Sequence, residues 1–318
     1  MQQRTVAASL SHPRSTTEPN VDSAPRSAAV GQTGLVEVQV DEEIAMSTQS
    51  RVEFRSLDGL RLVGDVVVPD VGPQVGVLLV HGRGVTRHES GFFDRIADGL
   101  ATAGFASLRF DLRGHGESDG TQEDVTLAGL LNDIRAGFEV LRAETGAART
   151  SLVGQSFAGG ICAYYAAKRQ AEVERLVMLC PRIDYKSRTI DGRPYWVDDH
   201  LDDEHTDLLS STGFLQYSTS FRHGRAFLNE VFWLQPHTAL GDVIAPTLLI
   251  HGDADKQVPI GPSYDAIKEL NARSELMVVK GAGHGFSVAG DKAYRQPQTL
   301  AWQADVIQRI NDWVGAGH

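Results

Sequence analysis

The sequence has few cysteines, no long apolar run and no excess of basic residues, and each absence excludes a class of protein. Its two cysteines, Cys162 and Cys180, provide neither a disulfide framework nor a metal-ligand spacing. No apolar run approaches the roughly 18 residues that a membrane-spanning helix needs. A net charge of −11 with scattered basic residues argues against nucleic acid or an anionic membrane surface as a partner. We therefore predict no cofactor, no resident metal, no nucleic acid and no membrane.

The chain of 318 residues is long enough for one large core, but its first part does not contribute to it. Residues 1–48 are rich in Ser, Thr, Ala, Pro and Gln and show little apolar periodicity, which predicts a disordered N-terminal extension. Arginines among these hydroxyl residues give a faint likeness to a transit peptide, and Met46 offers an alternative start. The segment lacks the apolar centre of a secretory signal, so we predict a cytoplasmic protein. A homodimer is compatible with the sequence.

Strand and helix patterns alternate along most of the remaining chain. Apolar runs predict buried strands at residues 76–80, 106–110 and 176–179, and 3.6-residue periodicity predicts helices at 92–103, after Thr126, and at 298–314. This alternation predicts an α/β fold whose mostly parallel sheet is covered on both faces. It stops between residues 181 and 242, so we predict a core of 49–180 and 243–318 with an insertion at 181–242.

The most informative motif is a serine between small residues. Gly154-Gln155-Ser156-Phe157-Ala158-Gly159 follows a short apolar run, where a strand should turn sharply into a helix. This is the pattern of a nucleophile elbow, in which small neighbours let a strained turn project the serine hydroxyl. The alternative interpretation is an ordinary serine in a glycine-rich turn.

Acid and base candidates follow the serine in chain order. Asp253 and Asp255 come directly after one predicted strand, and His284, between two glycines, comes after the next. The order Ser, Asp, His, each past a strand, is the chain order of one known triad architecture. Upstream, a strand runs into His81-Gly82-Arg83-Gly84, a loop that can offer a backbone N–H to an oxyanion.

Together with Arg109-Phe110-Asp111-Leu112-Arg113-Gly114-His115-Gly116-Glu117-Ser118, these motifs resemble the α/β-hydrolase-fold superfamily. The chain is most similar to single-domain bacterial hydrolases of the feruloyl/cinnamoyl-esterase and serine-aminopeptidase-like types, over about residues 50–315. The resemblance implies an α/β-hydrolase fold: a mostly parallel eight-stranded sheet with helices on both faces, and a lid at residues 181–242.

The resemblance also implies roles for individual residues. It makes Ser156 the nucleophile, His284 the base and Asp255 the acid, with Asp253 left as a turn former. It assigns the oxyanion hole to the backbone N–H groups of Arg83 and Phe157. We expect His81 to support its loop, and Asp111, Arg113 and His115 to fix the turn after the 106–110 strand.

Side chains near this site leave alternatives open. The aromatic residues Tyr185, Trp196, Phe214 and Trp233 are predicted to contact the substrate, or else only attach the lid to the body. The Arg83 side chain is predicted to bind a carboxylate or phosphate of the substrate, or else to pair with an acidic lid residue. The acidic run at 198–205 matches no catalytic-metal spacing and favours a solvated helix start.

The predicted function is hydrolysis of a small-molecule carboxylic ester or thioester through an acyl-enzyme. Two alternatives remain open. The same serine apparatus would also serve acyl transfer, or acetate elimination from an acylated natural product in bacterial secondary metabolism. A non-catalytic binder on the same fold is disfavoured because Ser, Asp and His are all present, and a peptidase is disfavoured because no separate propeller domain is apparent.

Overall fold

A central β-sheet organises the computed structural model, which describes residues 47–218 and 221–317. The strands of these residues, in chain order, are β1 (Ser47–Arg55), β2 (Arg61–Pro69), β3 (Val75–Val80), β4 (Ala106–Phe110), β5 (Arg149–Gln155), β6 (Leu176–Leu179), β7 (Trp196–Val197), β8 (His200–Leu201), β9 (Phe214–Ser218), β10 (Phe221–Gly224), β11 (Thr247–Gly252) and β12 (Ser274–Val279). The helices are α1 (Phe92–Thr102), α2 (Leu127–Thr145), α3 (Phe157–Lys168), α4 (Asp203–Thr212), α5 (Arg225–Glu230), α6 (Gly261–Glu269) and α7 (Pro297–Gly315).

The main sheet has eight strands in the order β1-β2-β4-β3-β5-β6-β11-β12. Strands β3, β4, β5, β6, β11 and β12 run parallel, while β1 and β2 add antiparallel strands at one edge. The β1–β2 hairpin turns at Asp58-Gly59, where Gly59 takes a positive φ of 86°. The prediction of a mostly parallel eight-stranded sheet is confirmed.

Helices cover both faces of this sheet because side chains alternate along each strand. On β3, Leu78 belongs to one apolar cluster and Leu79 to the other. The first cluster includes Phe138 of α2 and the second includes Ile310 of α7, and all four side chains are fully buried. Burying an apolar side chain of this size stabilises a fold by about 1.5–3 kcal/mol, so the two faces fix the sheet between the helices.

Local capping sets the bounds of α2. The Thr126 hydroxyl accepts a hydrogen bond from the Gly129 N–H at 2.9 Å, as expected for an N-cap residue. The helix ends at Gly146, which takes the left-handed conformation that glycine adopts at low cost. The predicted helix start at Thr126 is therefore confirmed.

Residues 181–242, here called the inserted segment, connect β6 to β11 through short elements, including the β7–β8 and β9–β10 hairpins. The side chain of Asp202 caps α4 by accepting from the His205 N–H, and acidic residues fill the first turn of that helix. From Asp202 onward the acidic run is thus a helix start, as predicted, whereas Asp198 and Asp199 form the turn between β7 and β8.

The predicted N-terminal extension lies outside the described residues, apart from its last two positions, which begin β1. None of the helices in the described part of the chain combines the length and the apolarity required to cross a membrane.

Candidate active site

Ser156 occupies a strained turn between β5 and α3. Its backbone dihedrals are φ 56° and ψ −120°, a region that residues with a side chain rarely adopt. The conformation is held from both sides, since the Ser156 N–H donates to the Leu179 carbonyl at 2.8 Å and its carbonyl accepts from the Arg182 N–H at 2.9 Å. The turn presents Ser156 at the carboxyl end of the sheet, where it borders two cavities.

Small neighbours are a steric requirement of this turn. A Cβ added at Gly154 would lie 2.6 Å from the Ala158 carbonyl oxygen and 2.7 Å from the Cys162 sulfur. A Cβ added at Gly159 would lie 2.7 Å from the Cβ of Pro181. The glycines of the motif therefore allow α3 to pack closely behind the serine.

The structure brings Asp255 and His284 into direct contact. The Nδ1 of His284 lies 2.6 Å from Oδ2 of Asp255. The other carboxylate oxygen accepts from the N–H groups of Gln257 and Val258 at 2.8 and 2.9 Å. Burial alone would raise the pKa of Asp255, but hydrogen bonds from His251 and His284 hold it well below its usual range. The carboxylate is therefore ionised at neutral pH.

Asp253 is placed differently from Asp255. It is exposed, and its side chain accepts from the Gly281 N–H at 2.6 Å. This bond closes the loop that follows β11 onto the loop that follows β12. The geometry fits a turn former and gives Asp253 no contact with His284.

The loop that carries His284 is shaped by a glycine and a serine. Gly285 has a φ of 67°, and a Cβ there would lie 2.0 Å from the Tyr294 hydroxyl oxygen. The Ser287 hydroxyl donates to the His284 carbonyl at 2.9 Å. Ser156 and His284 border one cavity of about 590 Å³. Among the described residues, the Ser156 hydroxyl makes no hydrogen bond, as is common before a substrate binds.

Two backbone N–H groups adjoin the serine. Phe157 is the first residue of α3, so its N–H has no intrahelical acceptor. Arg83 follows Gly82, whose Cβ position would lie only 3.3 Å from the Ser156 Cβ, and the Arg83 N–H finds no acceptor in the described ranges. Donors of this kind can stabilise an oxyanion that forms on a substrate bound at Ser156.

Two buried histidines support the loop that carries Arg83. The Leu112 N–H donates to Nε2 of His81 at 3.0 Å, so Nδ1 of His81 donates to the Gly82 carbonyl at 2.7 Å. Burial and the neighbouring His115 lower the pKa of His81 to about 3, which keeps the ring neutral. Nε2 of His115 accepts from the Gly84 N–H at 3.2 Å. Both rings have structural roles, as predicted for the first of them.

Sequence reasoning missed Glu89, a carboxyl group on the cavity shared by Ser156 and His284. Its side chain is buried, and Oε1 accepts from Nε2 of Gln155 at 3.1 Å. Oε2 has no side-chain partner, and burial raises the pKa of Glu89 to about 7. No local pattern signals this residue, because its burial depends on the fold around it.

A second cavity of about 380 Å³ lies on the other side of Ser156. Its charged and aromatic lining residues are Arg83, Phe157, Arg182, Arg188, Tyr217, Phe221 and Lys256. The inserted segment contributes Arg182, Arg188, Tyr217 and Phe221, so it forms part of the wall beside the serine. Sequence reasoning singled out Arg83 here, but not the two other arginines.

The four aromatic residues predicted to contact the substrate lie elsewhere, which corrects that prediction. Tyr185 is buried and donates its hydroxyl to the Phe157 carbonyl at 2.6 Å. Trp196 packs edge-on against Phe232, and Phe214 packs beneath the Arg222 guanidinium. Trp233 is 88% exposed. None of the four lines either cavity at Ser156, because the short elements of the inserted segment turn them away from it.

The Arg83 side chain lies among aromatic rings. Its guanidinium carbon is 3.9 Å from the centre of the Phe157 ring and 4.7 Å from that of Phe227. Its Nη1 donates to Nε2 of His223 at 2.5 Å. Within the described residues it has no carboxylate within 4.0 Å, so the alternative of an ion pair with an acidic residue of the inserted segment is wrong.

Cys180, Asp255 and His284 place potential metal-ligating atoms within 4.8 Å of one another. Burial raises the pKa of the Cys180 thiol well above its usual range. A protonated thiol is a poor metal ligand, and His284 already directs Nδ1 to the carboxylate. The group therefore fits an acid–base pair better than a metal centre.

Comparison with known proteins agrees with this fold. A family model described as alpha/beta hydrolase fold matches residues 76–212, and a model for the prolyl oligopeptidase family matches residues 200–309. A monoacylglycerol lipase from Mycolicibacterium smegmatis is 29% identical over an alignment of 294 positions, which covers 84% of this chain and 98% of that protein.

Solved structures show the same architecture. Est1E from Butyrivibrio proteoclasticus, with ferulic acid bound, has a TM-score of 0.64 at 21% identity and covers 81% of this chain and 99% of its own. The Pyrococcus furiosus esterase Pf2001 has a TM-score of 0.58 at 19% identity and covers 84% of this chain and 94% of its own. By its sheet and its family matches the chain has the α/β-hydrolase fold, and together with its esterase and lipase relatives this supports a hydrolase enzyme.

Proposed function

We propose that this hydrolase is a serine esterase that cleaves carboxylic esters through an acyl-enzyme. The observation that carries the proposal is the contact between Asp255 and His284 on the cavity that also holds the strained Ser156. The lipase and esterase relatives support a carboxylic ester as the substrate class. Thioesters react by the same steps and belong to the same proposal.

In the first half-reaction, Ser156 Oγ attacks the ester carbonyl carbon while Nε2 of His284 takes the hydroxyl proton. The negative charge moves to the carbonyl oxygen, toward the N–H groups of Arg83 and Phe157. Asp255 stabilises the imidazolium and fixes its tautomer through the bond to Nδ1. The intermediate collapses, the C–O bond to the alcohol breaks, and His284 donates its proton to the departing oxygen.

In the second half-reaction, water attacks the acyl-enzyme and His284 takes its proton. The bond between the carbonyl carbon and Ser156 Oγ then breaks, and the proton returns to the serine. The net change is one ester and one water consumed, and one acid and one alcohol released. The inserted segment acts as a lid in this scheme, since its residues close one side of the acyl site.

Covalent labelling of the serine tests the proposal. Ser156→Ala should fold normally, lose labelling by a fluorophosphonate and lose about 10³-fold or more in kcat/KM on a short-chain ester. Ser287→Ala removes a different hydroxyl beside His284 and should keep the label, which makes it the matched control. A Ser156→Ala variant that keeps more than about a tenth of the turnover would overturn the acyl-serine mechanism.

Isotope labelling separates hydrolysis from acyl transfer and elimination. In H₂¹⁸O, hydrolysis of the acyl-enzyme places the label in the released acid, because water attacks the carbonyl carbon. Acid released without label, together with a new double bond in the other product, would assign elimination instead. An acylated acceptor in place of free acid would assign transfer.

A further inference from the structure

We propose that the acyl part of the substrate ends in an anionic oxygen group, which Arg83, Arg182 and Arg188 bind on the side of Ser156 that faces the inserted segment. The preferred substrate is then a half-ester of a diacid. This inference rests on the proposed esterase function and adds the substrate class to it.

These three guanidinium groups line one cavity with the nucleophile and lack a counter-ion. Throughout the described ranges, none of them has a carboxylate within 4.0 Å. The absence of a counter-ion does not reflect a lack of acidic residues, since the chain has 41 of them and 30 lysines and arginines. The acids nearest to Arg182 and Arg188 in the sequence have other partners, since Asp184 accepts from the Ser187 N–H at 2.9 Å and Asp191 lies 2.6 Å from Lys186.

Arg83 is oriented by groups that do not neutralise it. Burial first, then the charges of Arg83 and Arg193, lower the pKa of His223 well below its usual range, so a neutral ring accepts the bond from Arg83. The surrounding aromatic faces also carry no net charge. Burial lowers the pKa of Arg83 to about 10, which leaves it cationic at neutral pH.

The other two arginines add to the positive potential around Tyr217. Burial would raise the pKa of the Tyr217 phenol, but the charges of Arg182 and Arg83 and a hydrogen bond from Arg188 lower it. Within the described residues, Arg182 donates from Nη2 only to the Gln257 carbonyl, at 3.1 Å. Arg188 is exposed and lines the same cavity. The planar guanidinium forks thus retain donors for a carboxylate or phosphonate.

The position of His284 decides which part of the ester carries the charge. His284 donates its proton to the departing alcohol, so the alcohol lies in the cavity that His284 borders. The arginine-lined cavity adjoins that one at Ser156, where the two share Arg83, and does not include His284. It therefore receives the acyl group, and an anion there would sit at the far end of the acyl chain.

Matched esters with one leaving group test the assignment. Monobenzyl glutarate should have a kcat/KM about tenfold to a hundredfold above that of benzyl pentanoate, which has the same carbon count without the charge. Benzyl 4-phosphonobutanoate distinguishes a phosphonate from a carboxylate as the preferred anion. Moving the charge to the alcohol, in 4-carboxybenzyl pentanoate, should give no such advantage.

Substitutions then connect this preference to the arginines. Arg182→Gln and Arg188→Gln should each reduce the ratio of anionic to neutral kcat/KM by about tenfold. Arg225→Gln is the control, because Arg225 lies on α5 of the same segment, bonds to Ser210 and lines neither cavity. It should leave the ratio unchanged.

Binding measured without turnover separates the two proposals. Calorimetry on Ser156→Ala should show tighter binding of monobenzyl glutarate than of benzyl pentanoate, with the difference lost in Ser156→Ala/Arg182→Gln. Failure of the native protein to react with the fluorophosphonate would overturn the esterase proposal, whereas the calorimetry would still report on the anion site. Equal kcat/KM for the two benzyl esters, together with equal binding of both, would overturn the anion site and leave the esterase proposal standing.

Discussion

Two groups of arginines in this protein have opposite surroundings. After β4, Arg113 lies 2.7 Å from Asp133 and 2.8 Å from Asp58, and Arg87 contacts three carboxylates. Around Ser156, Arg83 and Arg182 contact aromatic rings and neutral acceptors. On the proposal made above, this contrast separates structural from functional charges: a charge that supports the fold is compensated within the fold, and one that binds a ligand is not.

The largest effect is expected from the carboxylate that supports His284. Asp255→Asn should lower kcat by about 10³-fold to 10⁴-fold, because an amide neither stabilises the imidazolium nor fixes its tautomer. Asp253→Asn, at the exposed neighbour that bonds to Gly281, should lower it by less than about tenfold. Steady-state kinetics on one ester measure both. The reverse ranking would transfer the role to Asp253.

The compensated and uncompensated arginines should also differ in their contribution to stability. Arg113→Gln leaves the fully buried Asp133 without a cation and should lower the free energy of unfolding by about 3–5 kcal/mol. Arg182→Gln removes a charge that no carboxylate compensates and should change stability by less than about 1 kcal/mol. Urea unfolding measures both. Equal losses would abolish the distinction between the two groups.

Glu89 provides a smaller and pH-dependent test, because it is a buried acid without a cation. Burial raises its pKa from 4.5 to about 7, so its contribution to stability is fully present below pH 4.5 and is lost as the pH rises through 7. The free energy of unfolding of Glu89→Gln, relative to that of the native protein, should therefore rise by about 3 kcal/mol at most between pH 4 and pH 8. Urea unfolding at both values measures the gain. A difference that does not change with pH would mean that the Glu89 carboxyl titrates normally.

Much of the candidate site at the carboxyl end of the sheet could be predicted from the sequence, because the sequence signals for it are local. The strand at 176–179 and the start of α2 after Thr126 match the structure, and α7 extends one residue beyond the prediction at each end. Each candidate triad residue directly follows a strand with a strong apolar pattern. Gly154 of the elbow is required by contacts with Ala158 and Cys162, four and eight residues later, which a short motif records.

The substrate-facing wall could not be predicted because its contacts are not local. Arg83 meets Phe221 and Phe227, which are far away in the chain and lie in an inserted segment with strands of two to five residues. Such short elements carry no periodicity that tells an inward side chain from an outward one. The choice of Trp233 over Tyr217 rested on aromatic content alone, which does not encode direction.

The hydrogen bond from the Arg182 main chain to Ser156 has a consequence for how this enzyme can diversify. Arg83 and Arg182 lie directly beside the Ser156 turn, Arg182 as the second residue of the inserted segment, whereas Arg188, Tyr217 and Phe221 come from farther along that segment. Recombination that exchanges the insertion downstream of residue 183 would thus reshape acyl selectivity while a basal preference for anions is inherited unchanged. The pocket is in effect bipartite, with one half constrained by catalysis and the other free to evolve.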